Sequence, residues 1–134
     1  MRVFDWPVRV YYEDTDSGGV VYHANYLKFM ERGRTEWLRA LGFEQDVLRD
    51  EHNVLFAVHS MNIIYHRPAR FNEALLIRSR LEKASAVSMQ FEQNIYRGEE
   101  LLCEATVRIA CLAADTFRPK PIPKFIVTEM HSDG

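Results

Sequence analysis

Between residues 87 and 113 the chain reads VSMQFEQNIYRGEELLCEATVRIACLA, and apolar side chains alternate with polar ones through most of this stretch. Such alternation is typical of β-strands in a sheet that buries one face. A short polar connection, Arg97 to Glu100, interrupts the pattern and predicts a hairpin between two antiparallel strands. The stretch therefore predicts two long neighbouring strands that bury the same face.

Three other segments have the composition of strands. Val54 to Arg67 is rich in β-branched and aromatic residues and is followed by Pro68, and the segment around Leu75 to Leu81 alternates with a period of two. A shorter strand is predicted at Val8 to Tyr12, directly before a polar loop. The proline-rich tail, Pro119 to Pro123, cannot continue a ladder and is expected to be extended. The sequence thus predicts about five strands.

One long helix is predicted from Asn25 to Leu41. Asn25 suits the N-cap, and Gly42 suits the C′ position, where a positive φ is common. Gly33 lies on the apolar stripe as a small residue. The large apolar side chains recur at helical spacing, as expected of an amphipathic helix, at Tyr26, Phe29, Met30, Trp37, Leu38 and Leu41.

Together these elements predict an α+β fold, in which a curved antiparallel sheet of about five strands wraps around one long helix. The sheet has only one apolar face, so curling around the helix buries it, while its edges stay available for pairing with another subunit. We expect residues 1–134 to form a single domain and the protein to be a homo-oligomer.

Composition excludes several classes of partner. The formal net charge is −2, with both signs scattered along the chain, which gives no electrostatic footprint for nucleic acid. No segment has the length or apolarity of a signal peptide or a membrane span, so we expect a cytoplasmic location. Cys103 and Cys111 fall eight residues apart in one predicted strand, too far apart for a disulfide, and are expected to be buried and reduced.

The stretch whose residues are best suited to form a functional site directly precedes the helix. Residues 12–26 read YEDTDSGGVVYHANY, with two carboxylates, two adjacent glycines and a histidine before the helix start. Unpaired backbone N–H groups at a helix start can bind an anion or polarise a carbonyl. Asp14 has the spacing of an ordinary turn residue, and a single histidine beside a helix start, as at His23, is more often structural than catalytic. Spacing by itself therefore leaves catalysis at Asp16 open.

Three segments carry a resemblance to a known family. These are VRVYYEDTDSGGVVYHANY at Val8 to Tyr26, ERGRTEWL at Glu31 to Leu38, and RPKPIPK at Arg118 to Lys124. Together they resemble the YbgC-type thioesterases of the hotdog fold, relatives of 4-hydroxybenzoyl-CoA thioesterase, over nearly the whole chain. Ser17 is a small departure, because relatives often have alanine or proline there.

The resemblance implies an acyl-CoA thioesterase that releases free acid and CoA. It implies that Asp16 is the catalytic carboxylate, that the backbone N–H of His23 polarises the thioester carbonyl, and that active sites form between paired subunits of a homodimer or homotetramer. The residues themselves leave two mechanisms open, because an ionised Asp16 could attack the carbonyl as a nucleophile or activate a water as a general base.

Two other functions are considered. The same pocket could bind an acyl chain, for example on acyl carrier protein, with incidental hydrolysis, in association with the Tol-Pal and phospholipid system that the resemblance suggests. A dehydratase of the same fold would need a catalytic histidine, for which His23 is the candidate.

Some residues receive no functional role from the sequence. No cofactor or metal is expected, because His59 and His66 are seven apart in a predicted strand and would face opposite sides. Glu31 and Glu36 on the helix are interpreted as solvated or ion-paired. Several basic residues could meet CoA phosphates, and spacing does not rank them: Arg67, Arg70, Arg108, Arg118 and Lys120.

Overall fold

The computed structural model describes residues 2–131. It contains a five-stranded antiparallel sheet in the order β1-β3-β4-β5-β2, with β1 and β2 at the edges. The elements are β1 (Val3–Arg9), a 3₁₀ turn (Tyr12–Asp14), α1 (Asn25–Ala40), α2 (Gln45–His52), β2 (Val54–Tyr65), β3 (Ala74–Ala84), β4 (Ser88–Arg97), β5 (Glu100–Ala113) and α3 (Lys124–His131).

One face of the sheet packs against α1, as the alternating pattern predicts. The hairpin between β4 and β5 forms where the polar connection placed it, and the two strands bury the same face. The buried side chains of the sheet include Ile77, Leu81, Met89, Phe91, Ile95, Cys103, Val107 and Ile109, and those of α1 include Phe29, Met30 and Trp37. The α+β prediction, an antiparallel sheet of five strands with one long helix, is therefore confirmed.

Helix α1 approaches the centre of the sheet most closely at Gly33. A Cβ atom there would lie 3.1 Å from Cγ2 of Ile77, so a side chain would push the helix away. Beside it, the buried amide of Gln93 donates to the carbonyl of Met30 at 2.9 Å and accepts from Nη1 of Arg34 at 2.7 Å. Burial lowers the pKa of the Arg34 guanidinium to about 10. These hydrogen bonds fix the position of the helix on β4.

The C-terminus of α1 agrees with the prediction and the N-terminus does not. Gly42 has a φ of +94°, its N–H donates to the carbonyl of Arg39, and the N–H of Phe43 donates to that of Leu38, which is a Schellman motif. Asn25 is the first helical residue, and Ala24 occupies the N-cap without a side-chain hydrogen bond. The prediction of Asn25 as the N-cap was wrong because its amide bonds to another residue of the preceding loop.

Three elements differ from the sequence prediction. The first strand is Val3–Arg9 rather than Val8 to Tyr12, because β1 is an edge strand, where Pro7 is tolerated without its N–H. The polar connection after α1 contains the short helix α2, and a further helix, α3, follows the proline-rich tail. The tail itself is extended as predicted, and Pro119 forms an isolated bridge with Leu112 of β5.

The two cysteines lie on β5 as free, buried thiols, as expected. Burial raises the pKa of the Cys103 thiol to about 12, so it stays protonated and unreactive at neutral pH. Within residues 2–131, none of the helices combines the length and the apolar character needed to cross a bilayer.

Candidate functional site

The loop that carries Asp16 folds into a tight turn. The Asp16 N–H donates to the carbonyl of Val20 at 2.9 Å, and Gly19 completes the turn with a φ of +79°, which favours glycine. The Gly18 N–H donates to Oδ1 of Asp16 at 2.8 Å. Asp16 is exposed, and its Oδ2 has no hydrogen-bond partner among residues 2–131. One carboxylate oxygen is thus held by the loop while the other is open for chemistry.

Asp14 fastens this loop to the start of α1. Its carboxylate is buried and accepts hydrogen bonds from the Tyr11 N–H at 2.8 Å and from Nδ2 of Asn25 at 2.9 Å. Its carbonyl accepts from the Tyr22 N–H at 2.8 Å. These contacts confirm the prediction that Asp14 stabilises the turn.

Replacing Asp14 with alanine should lower the free energy of unfolding by about 2–3 kcal/mol, because the buried Asn25 amide and the partly buried Tyr11 N–H lose their acceptor. Urea denaturation measures the change. Glu13→Ala, which removes the exposed neighbouring carboxylate, is the matched control and should change the unfolding free energy by less than about 0.5 kcal/mol. Equal losses in the two variants would contradict the anchoring role.

The start of α1 leaves backbone donors free beside this loop. Alanine at the N-cap has no side chain that could accept from the first N–H groups. Within the described part of the chain, the His23 N–H has no hydrogen-bond partner, and its carbonyl accepts from Oη of Tyr65 at 2.8 Å. The N–H groups of Asn25 and Leu27 are bonded to the carbonyls of Tyr22 and Ala24, so the helix start presents its positive end together with the free His23 N–H.

Asp16 and His23 line one open cavity of about 310 Å³ at the N-terminal end of α1. The hydroxyl of Tyr26 accepts from the Ala69 N–H at 3.0 Å and ties the cavity wall to the helix. Burial is the main cause that raises the pKa of Tyr26, so the hydroxyl stays protonated. The other lining residues are Val20, Val21, Tyr65, His66, Arg67 and Pro68.

The structure also shows the surroundings of the residues to which no function was assigned from the sequence. Thr35 donates to Glu31, and Glu36 pairs with Arg39, so both helix carboxylates are engaged as expected. A bulge at Val58 to Ser60 in β2 removes the argument that His59 and His66 face opposite sides. Among residues 2–131, no group of three or more potential metal ligands comes together.

Sequence reasoning missed Tyr65 and Tyr26 as parts of the site. Tyr65 lies 42 residues from His23 in the chain, and its ring packs edge-on against Tyr26 with centroids 5.4 Å apart. The local signal was an aromatic residue near the end of a predicted strand, three residues before Pro68. Among the basic candidates, Arg67 lines the cavity and Arg70 pairs with Val20 of the Asp16 loop, while Lys120 bonds to the carbonyl of His52 elsewhere.

The chain is similar to known proteins of one family. Residues 10–129 match the family model of the thioesterase-like superfamily. The chain is 41% identical over 128 residues to the acyl-CoA thioesterase YbgC of Haemophilus influenzae, covering 96% of this chain and 94% of that protein. It is 46% identical over 128 residues to the acyl-CoA thioester hydrolase YbgC of Escherichia coli, covering 95% of each.

A solved structure supports the same assignment. The crystal structure of a "Probable Thioesterase" from Bartonella henselae superposes with a TM-score of 0.87 at 39% identity, covering 91% of this chain and 100% of that one. This likeness confirms the hotdog architecture expected from the resemblance. On the family match and the identities over nearly its full length, the chain belongs to the thioesterase-like superfamily and, within it, to the YbgC acyl-CoA thioesterases.

Proposed function

We propose that this member of the acyl-CoA thioesterases hydrolyses an acyl-CoA to free acid and CoA, with Asp16 as the catalytic carboxylate and the His23 N–H as the donor to the carbonyl oxygen. The observation that carries the proposal is the shared cavity, in which an exposed carboxylate with an open oxygen lies beside an uncapped helix start. A carboxylate can supply the nucleophile or general base, and a helix N-terminus the donor to the carbonyl oxygen, that attack on a thioester needs.

The chemistry follows from these two groups. As a general base, Asp16 takes a proton from water while the water oxygen adds to the carbonyl carbon. The carbon–sulfur bond then breaks, and the leaving CoA thiolate takes the proton from Asp16, which gives free acid, CoA thiol and the ionised carboxylate again. As a nucleophile, Asp16 forms an anhydride with loss of the thiolate, and water then opens the anhydride. In both routes negative charge builds on the carbonyl oxygen, and one N–H donor lowers that barrier by about 3–4 kcal/mol.

A homodimer or homotetramer and a cytoplasmic location complete the proposal. Strand β2 lies at an edge of the sheet and carries exposed apolar side chains, including Val58 and Ile64. An exposed apolar edge strand is a ready surface for pairing with a second copy. The open cavity at the end of β2 would then be completed by a partner subunit, as the resemblance implies.

The competing functions have less support. A dehydratase would use the His23 ring. That ring is exposed, lies at 49° to the ring of Tyr22, and bonds to no carboxylate among residues 2–131. An acyl-binding partner, with acyl carrier protein or the Tol-Pal system, has no use for a carboxylate with a free oxygen beside an uncapped helix. The site therefore favours hydrolysis.

Release of CoA thiol from short, medium, long and aromatic acyl-CoAs tests the proposed function. We expect one class to be hydrolysed far faster than the others, and an acyl-carrier-protein thioester with the same acyl group decides between the free and the carrier-bound substrate. Failure to release thiol from every acyl-CoA would refute the proposal and leave binding as the function.

Tyr65 should affect the rate of hydrolysis by positioning the peptide group of His23. Because its hydroxyl donates to the His23 carbonyl, Tyr65→Phe should lower kcat about three- to tenfold with little change in KM, the effect of one lost neutral hydrogen bond. Steady-state kinetics on the preferred acyl-CoA measure both constants. Tyr96→Phe on β4, which also removes a single hydroxyl, is the control, and an unchanged kcat in Tyr65→Phe would contradict the positioning role.

A further inference from the structure

Arg34 on α1 has no anionic partner within its own chain. Its guanidinium is partly buried, and its hydrogen bond among residues 2–131 runs from Nη1 to the neutral amide oxygen of Gln93. No carboxylate of the described chain lies within ion-pair distance of it. A charge that leaves water is unfavourable unless an opposite charge and further hydrogen bonds compensate it. The other N–H groups of Arg34 therefore need an acceptor from outside the chain.

Arg34 faces a groove between α1 and β2. Two open cavities of about 160 and 380 Å³ lie along this groove, and Glu31, Arg34 and Val58 line both of them. Gly33, on the neighbouring side of α1, packs instead against Ile77 of β3. Strand β2 is the last strand on this side of the sheet that residues 2–131 form. The side of α1 that carries Glu31 and Arg34 is therefore open toward the β2 edge.

The residues on this side of α1 recur with the spacing of a helix–helix contact. Leu27, Glu31, Arg34 and Leu38 follow one another at intervals of four, three and four residues, and each lines one or both of the two cavities. This is the heptad spacing of residues that meet a neighbouring helix. We call these four residues the lateral stripe of α1. It has an apolar residue at each end and opposite charges in the middle.

The lateral stripe is complementary to a second copy of itself. If two α1 helices lie antiparallel about a two-fold axis that passes between positions 32 and 33, each Glu31 faces an Arg34 and each Leu27 faces a Leu38, as a two-fold interface requires. A parallel arrangement would place like charges opposite each other. Val58 lies near the middle of β2, so the same axis can also relate two antiparallel β2 edges.

We propose that Arg34 pairs with Glu31 of the partner subunit, and Glu31 with the partner subunit's Arg34, so that two ion pairs fix an antiparallel contact between the α1 helices. The homodimer belongs to the proposed function, on which this inference rests, and the ion pairs are what it adds. Thr35 donates to Oε2 of Glu31 at 3.1 Å, while Oε1 has no hydrogen-bond partner among residues 2–131 and is open to the second guanidinium. Charge pairs in an interface select the partner and its orientation.

Two charge reversals, Glu31→Lys and Arg34→Glu, test the pairs. Each variant alone places like charges opposite each other at both positions, so each should raise the dissociation constant of the dimer by about a hundredfold or more. In an equal mixture every substituted side chain meets one of opposite charge. Heterodimers should therefore form with about the affinity of the parent, and sedimentation at graded concentrations, with one variant carrying a mass tag, measures them.

Glu36 and Arg39 provide the matched control. They are the same residue types at the same spacing on α1, and they pair with each other within the chain. Glu36→Lys and Arg39→Glu should each leave the dissociation constant within about threefold of the parent, as expected of exposed groups outside the contact. Mixing these two variants should change nothing.

Because Arg34 also bonds to Gln93, a second comparison avoids a reversed charge at that position. Arg34→Gln alone should raise the dissociation constant about tenfold, since it leaves the partner's Glu31 without a cation. The same substitution added to Glu31→Lys should lower the constant about tenfold, since it removes a like charge. The opposite signs are the signature of coupling between the two positions across the interface, and circular dichroism verifies the fold of each variant.

The outcomes separate this inference from the proposed function. If the parent dimerises and neither reversal weakens the dimer, or if the mixture stays monomeric, the ion pairs are wrong and the homodimer stands. Losses in the control variants equal to those at Glu31 and Arg34 would also contradict the pairs. A parent that is monomeric at every concentration overturns the homodimer together with this inference, while release of CoA thiol decides separately on hydrolysis.

Discussion

Asp16→Asn is expected to lower kcat for acyl-CoA hydrolysis about a thousandfold, because the substitution removes the negative charge that a general base or a nucleophile requires. The asparagine oxygen can still accept from the Gly18 N–H, so the turn should keep its shape. Thiol release from the preferred acyl-CoA, with circular dichroism to verify the fold, measures the effect.

Glu13→Gln is the control for this experiment, because it makes the same change of charge on an exposed carboxylate three residues away. It should alter kcat by less than about twofold, as expected of a solvated surface group. A kcat for Asp16→Asn within tenfold of the parent would contradict the assignment of Asp16, whatever the other variants show.

Trp37→Ala should be the most destabilising single truncation of the core. Trp37 is 1% exposed and packs between Phe4, with parallel rings at 6.1 Å, and Phe91, with tilted rings at 5.8 Å. Its removal leaves a cavity between α1 and the sheet, and the free energy of unfolding should fall by about 3–5 kcal/mol. Urea denaturation monitored by circular dichroism measures the loss.

Phe117→Ala is the corresponding aromatic truncation at the surface, where the side chain is 66% exposed. It should change the free energy of unfolding by less than about 0.5 kcal/mol. If Trp37→Ala cost no more than this control, Trp37 would not be part of the packed core between α1 and the sheet.

The spacing of apolar residues, with a period of two in strands and of about 3.6 in helices, was sufficient to predict most of the fold. The hairpin of β4 and β5 and the helix α1 were predicted because each has an uninterrupted apolar face. Strand β1 was misplaced because Pro7 is unfavourable inside a sheet but harmless at its edge, and the position of the edge depends on the fold. The short helix α2 has one fully buried apolar residue, Leu48, which is too weak a pattern to identify a helix.

Some residues of the candidate site could likewise be predicted from the sequence, and others could not. Asp16 and His23 lie within seven residues of each other, so a local motif could suggest both as parts of one site. Tyr65 reaches the same site from β2, 42 residues further along the chain, where its hydroxyl donates to the His23 carbonyl. Nothing in a single sequence fixes that contact, so Tyr65 could be assigned to the site only in three dimensions.

The alanine at the N-cap of α1 limits how this helix can be stabilised. A capping serine or aspartate needs an extended backbone, and Ala24 has helical angles, φ −73° and ψ −20°, so such a side chain would reach the first N–H groups only if the loop changed its shape. A side-chain oxygen that did reach them would offset the positive end of the helix beside Asp16. Under the proposed mechanism, designs for a more heat-resistant enzyme should therefore leave position 24 unchanged.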